Sequence, residues 1–449
     1  MTQGDKPSEA YAWPEVLCAS VRSLPEYRTL WIALSGGLDS TLLAHLAVRC
    51  YCPTHDVRAI HVNHQLQANA DATEQFCEQL CERLAIPLTC RRVEVQRSGS
   101  RAGGLEESAR RARYEVFEQL LEPGDLLLMA HHADDQAETL LFRLIRGTGV
   151  RGLAGMPRQR PLGKGRLYRP LLDFSREDLS GWAADAGLTW IEDPSNADAR
   201  FDRNFLRQRV LPLIRSRWPE LNRRLSHTAG ACGENAFLAD RLAALHWEQC
   251  ADQRGRLAIE HLAGLSPVER KNLVTWWIRR AGYAEPSLRD WGQVIGELIG
   301  ARQDGSPEMV GDGFVIRRFQ GWLYLVPAAP EALPVGAELF PQQPLRWGEW
   351  SIRLIPSTEQ SRPNPAIRVS TRQGGETFRP SPQGVERPLK KWLQEHAVPP
   401  WERARLPLVF RVDGDQQRLI AIGDLWCSGQ YSGSAPAAGW RLIVERDCD

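Results

Sequence analysis

Ser35, Gly36, Gly37, Asp39 and Ser40 stand in the stretch LWIALSGGLDSTLLAHLAV, which starts at Leu30, and their types and spacing imply anion chemistry. Two glycines let a backbone approach a phosphate closely, and two serines add hydroxyl donors. A helix beginning at this point presents unpaired N–H groups and the positive end of its dipole. Asp39 is the odd member. A carboxylate beside phosphates repels them unless a divalent cation lies between, so the bend from Ser35 to Ser40, Leu38 included, expects a nucleotide with Mg2+, and Asp39 is the candidate metal ligand. No G-x-x-x-x-G-K-[ST] pattern occurs, so no lysine follows the glycines as it would in a Walker loop. The bend suits a departing pyrophosphate.

A second group lies in HHADDQAETLLFRLIRGTGVRGLAGM, from His131 onward. Asp134 and Asp135 stand four and three residues before Glu138, on one face of a helix start. Like charges this close repel by about 1 kcal/mol in water and about 4 kcal/mol at an effective dielectric near 20, so in a cleft they call for a cation. Mg2+ and a substrate ammonium both qualify. The plainer alternative is that the aspartates complement the helix dipole and Glu138 is a solvated surface group. His131 and His132 fit hydrogen-bonded framework better than metal ligation. Gly147, Gly149 and Gly152 repeat the G-x-G-x-x-G spacing of dinucleotide sites, but they follow a helix rather than a strand and read as a loop near the cleft.

These residues need a scaffold that brings strand ends together. From 29 to about 146 short apolar runs alternate with helical periods, with strands expected over 29–34, 57–64, 88–95 and 125–132. Helices are expected after Asp39 and over 71–84, 105–121 and 134–146. The pattern predicts an α/β fold, a parallel Rossmann-like sheet covered by helices, which binds ligands beyond the carboxyl ends of its strands. SGGLDS, HVNH and HHADD all fall at those ends. Downstream, a small mostly helical domain ends in a hairpin over VGDGFVIRRFQGWLYLVP, and a proline- and alanine-rich stretch reads as a linker or an extended edge. A C-terminal α+β domain follows, enclosing the amphipathic helix PLKKWLQEHAV. The expected divisions are 1–219, 220–327, 328–345 and 346–449.

The formal net charge of the 449 residues is +1, so charge carries information only locally. From Arg200 to Arg224 eight arginines stand against Asp202 and Glu220, an excess of six that suits RNA phosphates. Arg203 and Arg207 share a helical face, with Asn204 beside them. Further on, Arg372, Arg379, Lys390 and Lys391 interleave with Trp392 and Trp401, an arrangement suited to RNA backbone and stacking, although Trp392 fits a core equally well. Trp276, Trp277 and Trp291 are at helical spacing and read as core. The ten cysteines include no CxxC pair, which favours reduced thiols over a metal or disulfide framework. No apolar run approaches the roughly 18 residues of a membrane helix, and the start lacks a basic-then-apolar leader, so no membrane partner and a cytoplasmic setting are expected.

SGGLDS resembles the signature of the PP-loop, or N-type ATP pyrophosphatase, superfamily. SGGLDS, HVNH, EESARRARY, HHADDQAETLLFRLIRGTGVRGLAGM, RPLLDFSRE, WIEDPSN and FDRNFLRQRVLPLI, in this order, resemble the tRNA(Ile)-lysidine synthetase family over about residues 29–217, and more weakly the stretch TRQGGETFRPSPQGVERPLKKWLQEHAVPPWERARLPLVF does so too. Leu66 and Gln67 stand where the family carries a leucine–arginine pair. The resemblance implies a ligase that uses ATP to adenylate the wobble cytidine of the CAU-anticodon isoleucine tRNA and then joins free L-lysine to it, which changes codon reading from methionine to isoleucine. It also implies Asp39 on Mg2+, Asp135 and Glu138 on the lysine ammonium, and Arg203 and Asn204 near the cytidine. Arg110 and Arg113, one helical turn apart, become candidates for steadying the adenylate phosphate or the reacting base. A homodimer is allowed. Rival readings are a PP-loop tRNA thiolase, which needs sulfur-carrying or cluster-binding cysteines, and a non-catalytic ATP-sensing RNA-binding scaffold.

Overall fold

The computed structural model describes residues 11–51, 56–66, 69–94, 102–192, 200–286, 290–301, 307–357, 364–381, 384–432, 436 and 438–446. Gln67 and the 193–196 portion of WIEDPSN lie outside them. The chain divides into two compact units, Met1–Ala239 and Asp240–Asp449.

In the first unit the elements run α1 (Glu15–Arg22), β1 (Leu30–Ala33), α2 (Leu38–Tyr51), β2 (Val57–Asn63), α3 (Ala70–Leu84), β3 (Leu88–Arg92), α4 (Ala102–Leu120), β4 (Leu126–Leu128), α5 (Ala133–Ile145), α6 (Val150–Leu153), β5 (Gln159–Leu162), β6 (Gly165–Tyr168) and α7 (Arg176–Asp185). They are followed by α8 (Asp202–Phe205), a π-helical turn over Leu206–Val210, α9 (Leu211–Arg217) and α10 (Leu221–Cys250), within which the boundary between the units falls. The sheet order is β3-β2-β1-β4-β6-β5, and every neighbouring pair is parallel except β5 with β6. The α/β sheet expected from the alternation is therefore present. Its last two strands lie beyond that expectation, because QRPLGKGRLY is too short and polar to carry a periodicity. Pro161 is tolerated because β5 is an edge strand, and Gly163, at φ +55°, makes the turn.

Alternation along β1 sends Leu30 and Ile32 to one face of the sheet and Trp31 to the other. Leu30 and Ile32 join a core with Leu17, Leu42, Leu43, Leu46 and Leu179 from α1, α2 and α7. Trp31 packs with Ile60, Tyr114, Phe117 and Leu127, so α4 covers the opposite side. Both faces are thus sealed, which leaves the strand ends as the place for polar chemistry.

In the second unit β7 (Leu257–Ala258), α11 (Ile259–Gly264), α12 (Pro267–Arg280), α13 (Trp291–Gly300), β8 (Glu308–Val310), β9 (Phe314–Phe319) and β10 (Trp322–Pro327) come first. The expected hairpin is β9–β10, widened by β7 and β8 into an antiparallel sheet of order β7-β10-β9-β8. Trp277 and Trp291 are buried in its core, with Trp276 packed at the margin. Next come β11 (Gly336–Glu338), β12 (Leu345–Trp347), β13 (Trp350–Pro356), β14 (Ile367–Ser370), β15 (Thr377–Phe378), β16 (Arg387–Pro388), α14 (Leu389–Glu395), α15 (Pro400–Arg403), β17 (Leu408–Asp413), β18 (Gln416–Ile422), β19 (Trp426–Cys427) and β20 (Trp440–Arg446). They build antiparallel sheets of order β11-β14-β17-β18-β19 and β12-β13-β20 about a core containing Trp347, Trp350 and Trp392. β11 lies in the proline-rich stretch and pairs with β14, so part of that stretch is an extended edge.

Candidate active site

Between β2 and β4 the chain connections leave β1 in opposite directions, and the polar strand ends meet at that switch point. The bend after β1 is held by its own groups. Ser40 Oγ donates to the Gly37 carbonyl at 3.1 Å, accepts from the Ser35 N–H at 3.1 Å and lies 2.9 Å from Ser35 Oγ. Gly36 adopts φ +80°, and a Cβ there would sit 2.9 Å from Thr73 Cγ2 of α3, so only glycine fits. Its carbonyl accepts from the Ile191 N–H at 2.9 Å, which ties the WIED segment to the bend. Leu38 is buried at the first position of α2, so the helix start is anchored beneath the bend.

Asp39, in the first turn of α2, faces the start of α5. Its Oδ2 lies 3.7 Å from His132 Nε2 and 3.9 Å from the Arg176 guanidinium, while its Oδ1 is buried with no hydrogen-bond partner. Burial pushes the Asp39 carboxyl above its usual range, and His132 and Arg176 offset this only in part. A carboxylate in that condition fits a divalent cation: hard oxygen donors suit Mg2+, and one oxygen has no other partner.

His132 is the N-cap of α5. Its Nδ1 accepts from the Asp135 N–H at 3.4 Å, and its own N–H donates to Asp135 Oδ2 at 3.1 Å, a reciprocal cap that fixes the Asp135 side chain. Its Nε2 lies 3.4 Å from the same carboxylate, so one imidazole stands between Asp39 and Asp135. Burial pushes the Asp135 carboxyl up, but His132, His131 and Arg207 outweigh it and hold the group below the usual carboxylate range. Glu138, one turn on and 5% exposed, is pushed up by burial despite the Arg207 guanidinium.

The cation these carboxylates call for is supplied by the chain itself. Arg207 donates from Nε to Glu138 Oε1 at 2.5 Å and from one terminal nitrogen to Glu138 Oε2 at 2.9 Å and Asp135 Oδ1 at 3.0 Å. Arg215 pairs with Asp134 at 2.5 Å, and Asp134 also accepts from the Arg176 N–H at 2.8 Å. The basic segment is thereby fastened along the acidic helix start, with Arg207 on the π-helical turn. Sequence reasoning puts Arg207 at the RNA and misses Arg176 and Arg215 as partners of aspartates. The signal for them is the opposite sign of charge in HHADD and the arginine-rich run.

Arg110 stacks over the Tyr114 ring at 5.0 Å. Burial first of all, with Arg113 of the same helix adding to it, lowers the proton affinity of His64 and His131. Arg203 lies over the Phe142 ring of α5 at 5.8 Å, with Asn204 next to it in α8. In the second unit Arg372 is held by Glu376 at 3.2 Å, whereas Arg379, Lys390 and Lys391 are exposed. Trp392 is core, stacked on His396 at 3.8 Å. Trp401 packs against Phe319 and Tyr324 at 5.9 and 5.3 Å. The G-x-G-x-x-G loop is bound to α5: Gln136 accepts from the Met156 N–H at 2.6 Å and donates to its carbonyl at 3.1 Å, and Arg143 donates to the Gly152 and Gly155 carbonyls. Among the described cysteines, burial pushes the Cys77 thiol up strongly and the Cys81 thiol to about 12, protonated forms unsuited to carrying sulfur. Among the described residues no helix is long and apolar enough to cross a membrane.

Residues 16–214 match the PP-loop domain family, residues 257–324 the TilS substrate binding domain and residues 367–444 the TilS substrate C-terminal domain. Over 442 residues, 96% of each chain, the sequence is 36% identical to a tRNA(Ile)-lysidine synthase of Coxiella burnetii. It is 36% identical over 446 residues to one of Alkalilimnicola ehrlichii, covering 96% of this chain and 97% of that one. With one of Pseudomonas syringae pv. tomato the identity is 40% over 435 residues, 92% of each chain.

Proposed function

Since the chain belongs to the tRNA(Ile)-lysidine synthase family, we propose from that premise how its own residues bind, activate and join the substrates. It is an ATP-using ligase of tRNA that forms lysidine. The tRNA is the isoleucine acceptor with anticodon CAU, and the amine is the ε-amine of free L-lysine.

The observation that carries this reading is the meeting of the Ser35–Ser40 bend with Asp39, Asp135 and Glu138 around His132 at the strand ends. The bend's N–H groups and the α2 dipole hold the β and γ phosphates, and Asp39 with its unpartnered Oδ1 would hold Mg2+, which would supply positive charge against the triphosphate. The O2 oxygen of the wobble cytosine attacks the α phosphorus, the bond to the β-phosphate oxygen breaks, and pyrophosphate departs into the bend. Arg113 and Arg110 steady the adenylate, and Arg203 with Asn204 orient the base.

In the second half the lysine ammonium is received by Asp135 and Glu138. It must lose a proton to become a nucleophile. Glu138, whose proton affinity burial raises, is the group suited to take it. The amine nitrogen then bonds to C2, the C2–O2 bond breaks, and AMP leaves with the former cytosine oxygen. Exposed Arg379, Lys390 and Lys391 meet the tRNA backbone. Mass spectrometry of nucleosides from the CAU isoleucine tRNA, after incubation with ATP, Mg2+ and lysine, tests the scheme. Lysidine is expected only when all three are present, and equal pyrophosphate release without tRNA would overturn it.

A further inference from the structure

Arg207 stands in the place assigned above to the lysine ammonium, and this inference rests on that assignment. Its guanidinium takes both oxygens of Glu138 and one of Asp135. The other Asp135 oxygen is committed to the cap of α5, and Glu138 is buried. An incoming ammonium therefore finds three of these four carboxylate oxygens already taken by a guanidinium. Arg207 is also a member of the basic segment 200–224, whose excess of six positive charges suits RNA phosphate, and Arg215 of the same segment is spent on Asp134. The positive charge offered to RNA and the negative charge offered to lysine are thus drawn from the same ion pairs.

We propose that Arg207 is an internal occupant of the amine site, released when tRNA binds, so that lysine enters only a tRNA-loaded enzyme. Phosphate or a base edge competes with carboxylate for the guanidinium, and withdrawal of Arg207 leaves Asp135 and Glu138 requiring a cation. Arg207 sits on the π-helical turn Leu206–Val210, which carries one residue more per turn than an α-helix. Rewinding this turn into α register swings its side chains away from α5 without unfolding α8 or α9. By linkage the coupling is reciprocal: whatever tRNA adds to lysine affinity, lysine adds to tRNA affinity. The arrangement delays the nucleophile until an acceptor is in place and turns away free lysine before then.

Equilibrium dialysis of labelled L-lysine against the full chain, without ATP so that no turnover occurs, tests the idea. For the wild type, saturating CAU isoleucine tRNA is expected to tighten lysine binding at least tenfold. Arg207→Met is expected to bind lysine at least tenfold more tightly than wild type without tRNA and to gain less than twofold from adding it. Arg207→Lys keeps a cation in place and stays weak. Equal lysine affinity of the wild type with and without tRNA overturns the proposal, and this measurement needs no variant to fold. So does an Arg207→Met protein that melts like wild type and binds lysine no better. A different failure marks the amine assignment itself: lysine that binds with tRNA present, yet with the same affinity in Asp135→Asn and Glu138→Gln, is held elsewhere.

Discussion

Asp39 combines three conditions in one carboxylate: a place in the first turn of a helix, a half-buried side chain, and one buried oxygen with no partner. Asp39→Asn keeps the shape and removes the charge. It is expected to lower ATP-dependent pyrophosphate release at least a thousandfold, on the order of the 4 kcal/mol that removing one charge-stabilising group accounts for, with tRNA affinity within about twofold of wild type. Release assayed beside filter binding checks both halves, and loss of tRNA binding would make Asp39 structural. His131 gives a pH dependence. Burial first of all, with Arg169 adding to it, pushes its imidazole down to about 3, and its Nδ1 accepts from Arg169 Nε at 3.1 Å, which requires the neutral form. An unfolded histidine takes up its proton near 6.5, so as pH falls from about 6.5 toward 3 the unfolded chain gains a proton that the fold refuses, and stability falls through that window. His131→Asn retains an acceptor for Arg169 and should remove about 1–2 kcal/mol of the stability lost between pH 7 and 5, read from urea midpoints.

At the scale of elements, α5 does more than present acids. Gln136 on its inner face carries both backbone groups of Met156, and Gly155 is required beside it because a Cβ there would approach Gln136 Oε1 to 2.5 Å. Gln136→Ala leaves a buried N–H and C=O unpaired, so a loss of about 1–3 kcal/mol is expected, with faster amide exchange confined to residues near 150–156. The four main strands and their helices are legible in the sequence because apolar runs and helical periods alternate cleanly there. β5, β6 and β7 are not, because QRPL, GRLY and LA lack the unbroken apolar runs that mark the equally short β1 and β4, and they are fixed by the neighbour they pair with. The anion bend and the acidic helix start are legible for the same reason as the strands, since residue types and spacing there are local. The ion pairs of Arg207, Arg215 and Arg176 are not, because they join residues 69 to 137 positions apart in the chain.

At the scale of the whole molecule, a near-neutral total conceals charge that is divided by use. In the first unit Arg207 and Arg215 of the 200–224 segment are engaged with carboxylates, whereas in the second unit Lys390 and Lys391 stand exposed on α14 above a buried Leu389, Trp392 and Leu393. That helix is anchored by its apolar face, so reversing its charges leaves the core intact. Lys390→Glu with Lys391→Glu is expected to leave the melting temperature within about 1 °C, weaken tRNA binding, and lower the slope of log affinity against log salt by about one for each phosphate no longer neutralised. Unchanged affinity and slope would remove α14 from the RNA surface.

The order in which these parts are laid down has a further meaning for biosynthesis. Chains leave the ribosome at roughly 5–20 residues per second, so the nucleotide bend and the acidic start of α5 emerge well before Arg207 and Arg215, which complete their charge pairing. A nascent polypeptide halted near residue 190 already possesses all six strands of the first sheet, yet holds three neighbouring carboxylates without their two closing guanidiniums. Translation itself thus postpones the closing ion pairs of this cluster until the chain has reached α9.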